Sequence, residues 1–162
     1  FALFVFSKFT TLGDTGRWMK GKYHHLSITD IFFNETNFMF FFGGISFDLF
    51  GPIFGNLPFL VLSFYGIYYS VSKLELQNKQ LIIIFFLLSL PSFGVWGTIA
   101  GKEAIGIFYM GIICGYTIDI LNEKRLKIKI IEILSFCLLL LFKPQFFPGI
   151  FSIIIFILLP DL

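Results

Sequence analysis

Three short polar patches stand between long apolar runs, and each carries residue types used in phosphate or acid–base chemistry. They are residues 13–17 (GDTGR), residues 101–103 (GKE) and residues 143–145 (KPQ). A carboxylate can deprotonate an attacking hydroxyl, and cations can stabilise a diphosphate leaving group. The candidate bases are Asp14 and Glu103, and the candidate phosphate ligands are Arg17, Lys102 and Lys143. The residue types therefore suit the transfer of a group from a diphosphate carrier to a hydroxyl acceptor.

The same patches also have simpler interpretations. Lys102 and Glu103 are typical of solvated charges in a turn, and Lys143 is typical of a side chain that snorkels to the membrane interface. Residues 97–102 (GTIAGK) superficially resemble a phosphate-binding loop. Trp96 stands at the position of the first glycine, however, and this excludes a nucleotide site.

Potential metal ligands are few and scattered. His24 and His25 are adjacent, and neighbouring residues on a helix point ~100° apart. No third ligand accompanies them, so loop histidines are favoured over a metal site. Cys114 and Cys137 lie inside apolar runs, where a free cysteine acts as a small buried hydrophobe. No cofactor is predicted, and the requirement for a divalent metal is left open.

The composition places the patches in a membrane protein. The 162 residues are 57% hydrophobic, and 25 of them are phenylalanine. A soluble domain of this length could not bury so much apolar surface, so the bilayer is expected to be its solvent. The net charge of +2 is too small to indicate nucleic acid, and no nucleic-acid motif is present. We expect residues 1–162 to be a fragment of a single transmembrane domain in a longer polytopic protein.

Two long apolar runs meet at the second patch. Residues 80–98 carry no charge and, at ~1.5 Å per residue, can cross the ~30 Å hydrocarbon core of a bilayer. The second run, 104–121, has Asp119 near its far end as its only charge. The pattern predicts a helical hairpin whose turn, at Lys102 and Glu103, lies on the membrane surface.

Three further apolar runs flank this hairpin. Residues 57–72 predict a spanning helix with tyrosines at the interface. Residues 130–142 and 146–159 each fall below the ~20 residues of a full crossing, so the turn at 143–145 is expected below the membrane surface. The predicted fold class is all-α, a polytopic membrane bundle of about five to six helices with the last two short.

The remaining segments set the expected topology. Residues 10–30 form a polar loop, and residues 31–55 are aromatic but interrupted by polar residues and glycines, which predicts an interfacial or re-entrant stretch. Residues 122–129 (NEKRLKIK) are strongly basic, which predicts a cytoplasmic loop. Counting back from it places the Lys102 turn outside. If the aromatic stretch does not cross, the 10–30 loop lies outside as well.

The order and spacing of the patches resemble a known family, the bacterial polytopic polysaccharide polymerases and related lipid-linked-sugar glycosyltransferases. Members carry a Gly-Asp patch in the first outer loop, then Pro-Ser-x-x-x-Trp-Ser-Ser-Gly-x-x-Lys-Asp/Glu, then Arg-Pro-His between two short helices. This chain keeps Pro91, Ser92, Trp96, Lys102 and Glu103. It departs at residues 97–98, where Gly-Thr replaces two serines, and at residues 143–145, where Lys-Pro-Gln replaces Arg-Pro-His.

The resemblance implies a glycosyltransferase or polymerase of O-antigen or capsule type, active in surface polysaccharide biosynthesis. It would act on polyprenyl-diphosphate-linked saccharides at the external, periplasmic face of the bacterial inner membrane, with membrane lipid as its surroundings. The implied catalytic residues are Asp14 and Glu103, and the implied substrate ligands are Arg17, Lys102, Lys143, Gln145 and Trp96. The histidine missing from the third patch removes the family's usual catalytic candidate there.

Two other function classes stay open at this stage. A transporter or flippase subunit for lipid-linked saccharides would line its path with the same charges, but it would spread polar residues through the depth of several helices. The helix middles are almost purely apolar, which favours a site at one face. A non-catalytic structural membrane subunit is the second alternative, and it leaves the glycine-flanked charged patches without a role.

Overall fold

The structure, a computed structural model, describes residues 27–90, 97–122 and 127–158, and all the regular structure in these ranges is helical. The helices are α1 (Ile28–Phe33), α2 (Glu35–Phe54), α3 (Leu57–Lys73), α4 (Asn78–Leu88), α5 (Lys102–Leu121), α6 (Ile130–Phe142), a 3₁₀ turn (Pro144–Phe146) and α7 (Phe147–Leu158). The prediction of one helix over residues 80–98 is wrong. Helix α4 ends at Leu88, and the chain turns at Ser89 and Leu90.

Helices α3 and α5 run parallel and form the centre of the fold. Just before α3, the Asn56 side-chain oxygen accepts a 2.8 Å hydrogen bond from the backbone N–H of Ala100, which precedes α5. At the far ends of the two helices, Lys73 Nζ lies 2.9 Å from Asp119 Oδ2. The start of α3 therefore lies beside the start of α5, and the end of α3 lies beside the end of α5.

Glycines bring the backbones of α3 and α5 into contact at mid-length. A Cβ on Gly66 would lie 2.6 Å from Phe108 Cα, and a Cβ on Gly111 would lie 2.9 Å from Gly66 Cα. One turn further along α5, Gly115 leaves room for the Tyr69 ring. Small residues four positions apart are a common means by which membrane helices approach closely. The close approach of α3 and α5 therefore depends on the absence of side chains at these glycines.

The middle of the bundle is apolar. Four completely buried side chains come from four different helices: Met39 of α2, Phe59 of α3, Ile112 of α5 and Leu139 of α6. Helix α6 is antiparallel to α5, since Glu132 near its start meets Tyr69 while Phe142 at its end packs against Tyr109. The charged residues of α5 (Lys102, Glu103 and Asp119) lie near its two ends, outside this apolar middle.

The last two helices form a sharp bend. Helix α6 and the segment Pro144–Ser152 meet at an angle of 116°. The ring of Phe142 packs against Tyr109, with centroids 6.2 Å apart, and Tyr109 is seven residues, about 10 Å, along α5 from Lys102. The turn at residues 143–145 therefore lies near Tyr109, about two helical turns along α5 from Lys102. Its placement below the membrane surface stays a prediction.

Both ends of α2 lie near the Lys102 end of the bundle. Glu35 in its first turn pairs with Lys102. Gly55, which ends the helix, accepts a 2.6 Å hydrogen bond from Ser46 and is followed by Asn56, whose side chain bonds Ala100. A backbone break at Gly51 (φ 75°) precedes Pro52 and turns the chain into α3. The interfacial placement of residues 31–55 stays a prediction, since α2 is also long and apolar enough to span a membrane.

Two of the described helices, α2 and α5, have the length and hydropathy of a membrane span. The bent pair that begins with α6 makes a third candidate if it is counted as one span. Helix α3 has the predicted bounds, but it is not among the candidates. The described part of the chain is therefore all-helical with two to three candidate spans, fewer than the sequence predicts.

Candidate functional site

Lys102 lies at one end of the bundle and is held by the start of α2. Its Nζ lies 2.6 Å from Glu35 Oε1 and 3.4 Å from Thr36 Oγ1. The side chain of Asn34 caps α2 by accepting the backbone N–H groups of Thr36 and Asn37, which fixes the first turn that carries Glu35. The side chains of Lys102 and Glu35 are 27% and 37% exposed, so the pair is accessible from outside the bundle.

Glu103 is an exposed carboxylate at this end. It lies in the first turn of α5, where the helix dipole favours a negative charge. Its side chain folds back over Gly101, since a Cβ on that glycine would lie only 2.8 Å from Glu103 Oε2. The glycine thus makes room for the carboxylate beside the Lys102 pair.

Lys143 and Gln145 are both exposed and lie in the turn that follows α6. Phe142, the residue before this turn, contacts Phe38 of α2 as well as Tyr109 of α5. The turn therefore lies at the same end of the bundle as Lys102 and Glu35, but deeper. The structure brings the second and third polar patches to one end, although they are forty residues apart in the chain.

Two buried hydrogen bonds hold the segment that leads into Lys102. The Asn56 oxygen accepts the N–H of Ala100, and the Ser63 hydroxyl donates to the carbonyl of Gly97. The amide nitrogen of Asn56 is buried and has no hydrogen-bond partner within the described ranges. Helix α3 thereby positions the backbone from which Lys102 and Glu103 project.

The other predicted site residues are not placed by the structure. Asp14, Arg17 and Trp96 lie outside the described residues, as do His24 and His25. Within residues 27–90, 97–122 and 127–158, no three His, Cys, Asp or Glu side chains gather into a group that could hold a metal ion. The site as described thus consists of Glu35, Lys102, Glu103, Lys143 and Gln145.

This arrangement can supply both halves of a group transfer. Glu103 offers an exposed carboxylate to a hydroxyl, and the lysines offer positive charge to a diphosphate. Glu35 already neutralises Lys102, so an incoming phosphate must displace that carboxylate or bind beside the pair. Lys143, deeper and exposed, is the cation better placed to meet a ligand first.

Sequence reasoning missed Glu35, whose partner is 67 residues away. The available signal was the polar triplet Asn34-Glu35-Thr36 inside an aromatic run, because a charge in such a run needs a partner or water.

A second polar cluster lies at the opposite end of α3 and α5. We call Tyr69, Lys73, Asp119 and Glu132 the Lys73 cluster. Lys73 contacts the Asp119 carboxylate and lies 5.4 Å from the centre of the Tyr69 ring. The Tyr69 hydroxyl donates a 2.7 Å hydrogen bond to Glu132 Oε1, and Glu132 Oε2 accepts the backbone N–H of Lys129 at 2.6 Å.

Both carboxylates of the Lys73 cluster are buried inside the bundle. Asp119 is 2% exposed and Glu132 is completely buried. This cluster ties together α3, α5 and α6, and burial of two carboxylates is tolerated because each has a polar partner. Their placement at the depth of the membrane interface, the default for charges near helix ends, stays a prediction.

Comparison with known proteins identifies no relative of this chain. No protein-family model matches it, and neither a curated protein nor a solved structure shows significant similarity. The function is therefore inferred from the geometry and the chemistry of the site.

Proposed function

We propose that this chain is part of a membrane glycosyltransferase or polymerase that acts on polyprenyl-diphosphate-linked saccharides in surface polysaccharide biosynthesis. In this proposal it lies in a bacterial inner membrane with the Lys102 end facing outward. The whole fragment then forms a bundle of about five to six membrane helices, the last two short. Asp14, Arg17 and Trp96 would join the site from outside the described residues.

The observation that carries the proposal is the convergence of unlike charges at one end of the bundle. Lys102 pairs with Glu35 of α2, Glu103 follows it on α5, and Lys143 after α6 lies at the same end of the bundle, although these residues come from distant parts of the chain. An accessible carboxylate beside lysines at two depths suits an acceptor hydroxyl and a diphosphate bound together.

The apolar middle of the bundle favours this proposal over a transporter. On α5, Lys102 and Asp119 are 17 residues apart, about 25 Å along the helix axis, and the Gly66–Gly111 crossing between them is closed by backbone contact. A translocation path needs polar groups or an opening at intermediate depth. A purely structural subunit gives no reason for an exposed carboxylate at the Lys102 pair.

In the proposed reaction, Glu103 accepts the proton of the acceptor hydroxyl as that oxygen attacks the anomeric carbon of the carrier-linked sugar. The bond from that carbon to the diphosphate oxygen breaks, and Lys143 and Lys102 stabilise the departing anion. Glu35 holds Lys102 in place until the phosphate arrives. In this proposal, the exposed Gln145 donates hydrogen bonds to the sugar or the phosphate.

The test is elongation of lipid-linked glycan by membranes that contain the full-length protein, with expression of every variant measured in parallel. Glu103→Gln keeps size and hydrogen-bonding capacity but removes the base, so we expect a loss of ~10²- to 10⁴-fold in rate. Glu75→Gln is the matched control, because Glu75 is an exposed carboxylate that follows α3 at the opposite end of the bundle. Near-normal elongation by Glu103→Gln would remove it as the base and leave Asp14.

The lysines are tested by affinity rather than by rate alone. Lys143→Ala should raise KM for the carrier-linked sugar more than it lowers kcat, whereas Lys143→Arg should retain most activity. Lys129→Ala, at the opposite end of α6, is the control. Glu35→Gln should lower KM, because it releases Lys102 for the phosphate. Unchanged kinetics in all of these variants would show that these charged residues are solvated turn residues that take no part in substrate binding or catalysis.

A further inference from the structure

Helix α4 is separated from α3 by an apolar groove of about 330 Å³. Its walls are formed chiefly by Phe64, Ile67 and Val71 of α3 and by Leu81, Ile84 and Leu88 of α4. We call this space the α3–α4 groove. Its volume lies at the lower end of the roughly 300–1,000 Å³ found for ligand pockets.

The surroundings of the groove select hydrocarbon over water as its occupant. Cavities with apolar walls stay dry, because water needs polar partners. No residue of α4 is buried, and Ile82, Ile83 and Phe86 on its outer side are 60–70% exposed. In a bilayer these side chains contact lipid, so the groove is continuous with the hydrocarbon phase.

The shape of the groove selects a single narrow chain. Its lining extends from Leu81 to Ser89 on α4 and from Leu60 to Val71 on α3, which at ~1.5 Å per residue correspond to about 12 and 16 Å. A volume of about 330 Å³ spread over that length is that of a narrow trough. An extended hydrocarbon chain lying along α3 and α4 suits this shape.

The depth and charge of the groove point to one leaflet. Its length is about half of the ~30 Å hydrocarbon core, the depth of a single leaflet. One end lies near Lys79, an exposed lysine in the first turn of α4. The other end lies at Leu60 and Ser63, about 15–20 Å along α3 from Lys73, where the Ser63 hydroxyl already donates to backbone carbonyls. A lipid phosphate is therefore favoured at the Lys79 end.

We propose that the α3–α4 groove binds one acyl chain of an anionic phospholipid from the leaflet at the Lys73 end, with the lipid phosphate held by Lys79. The bound chain fills the space between α3 and α4 and supplies the packing that α4 does not obtain from the protein. The inner end of the groove is also lined by Gly97 and Thr98, which lead into Lys102. The headgroup contact at Lys79 lies at the opposite end, so the lipid proposal does not depend on the function proposed for the Lys102 end.

The test uses the full-length protein in nanodiscs of phosphatidylethanolamine and phosphatidylglycerol, a fraction of the phosphatidylglycerol carrying a diazirine on one acyl chain. After irradiation, peptide mass spectrometry should find the label on the groove walls. Ile84→Trp fills the groove and should abolish this label. Ile83→Trp adds the same bulk on the neighbouring residue, which is 60% exposed and does not line the groove, and should leave the label unchanged.

Two further variants test the other wall and the headgroup. Ile67→Phe narrows the groove from α3 and should also reduce the label, and each variant is first checked for a monodisperse elution profile. Lys79→Gln should weaken labelling by the phosphatidylglycerol probe. Groove labelling that survives both Ile84→Trp and Ile67→Phe would overturn the proposal, as would displacement of the label by an added polyprenyl phosphate.

Discussion

Replacing Gly66 by alanine tests the close crossing of α3 and α5. The added Cβ would lie 2.6 Å from Phe108 Cα and 2.7 Å from the Ile107 carbonyl oxygen, whereas ordinary contacts begin at 3.4 Å. Both neighbours are backbone atoms of α5, which cannot move aside by changing rotamer. The helices must therefore separate by about 0.8 Å, and overpacking of this kind typically costs about 1–3 kcal/mol.

The matched control is Gly106→Ala on α5, whose Cβ would meet nothing closer than the Tyr109 hydroxyl at 3.7 Å. Alanine is favoured over glycine in a helix interior by about 1 kcal/mol, so this control should be neutral or slightly stabilising. The assay is reversible unfolding in bicelles titrated with SDS and followed by circular dichroism. Equal stability of the Gly66 and Gly106 variants would show that the two backbones are not in contact.

The contact between Gly66 and Gly111 allows a second test of the close crossing, with a double variant. Gly111→Ala places its Cβ against the Gly66 backbone and should be destabilising for the same reason. One separation of the helices accommodates both methyl groups, so the double variant should lose less stability than the sum of the two single losses. Additive losses would mean that the two glycines act at independent contacts.

Three further predictions follow from the polar contacts at the two ends of α5. Lys73→Met, which removes the cation that faces the buried Asp119 carboxylate, should lower the free energy of unfolding by about 3–5 kcal/mol, whereas Asp119→Leu combined with Lys73→Met should be nearly neutral in the same SDS titration. Asn56→Ala removes the acceptor for a buried backbone N–H and should cost about 1–3 kcal/mol. Single cysteines at Asn122 and Glu103, in a cysteine-free background, should react with an impermeant maleimide from opposite sides of the membrane; reaction from one side would contradict the arrangement of the bundle.

Composition and run length predict the helical class and much of the outline. The second half of the hairpin, 104–121, corresponds to α5, and 57–72 corresponds to α3. The short runs after residue 130 predict the bend at 143–145, because an apolar run too short to cross must turn inside the membrane. These features depend on local hydropathy and length, which one sequence records directly.

Features that depend on distant partners are not predicted. Nothing near Lys102 in the chain indicates Glu35, and nothing near Glu132 indicates Tyr69, since both contacts join residues more than 60 positions apart. The helix expected over 80–98 ends early at Leu88, because an uncharged run does not record where the backbone stops being helical. The close crossing did leave a signal in Gly111 and Gly115, four residues apart on one helix face.

The spacing of charges along α5 has a consequence for the membranes that suit this protein. Lys102 and Asp119 bracket an apolar stretch of about 25 Å, which is a few ångströms shorter than the ~30 Å of an average hydrocarbon core. Tilting accommodates a helix that is too long, whereas a short one is accommodated by thinning of the bilayer, by snorkelling of flanking side chains or by oligomerisation, at a cost of fractions of a kcal/mol per ångström. As a membrane span, α5 would therefore be more stable in a thin bilayer than in a thick one.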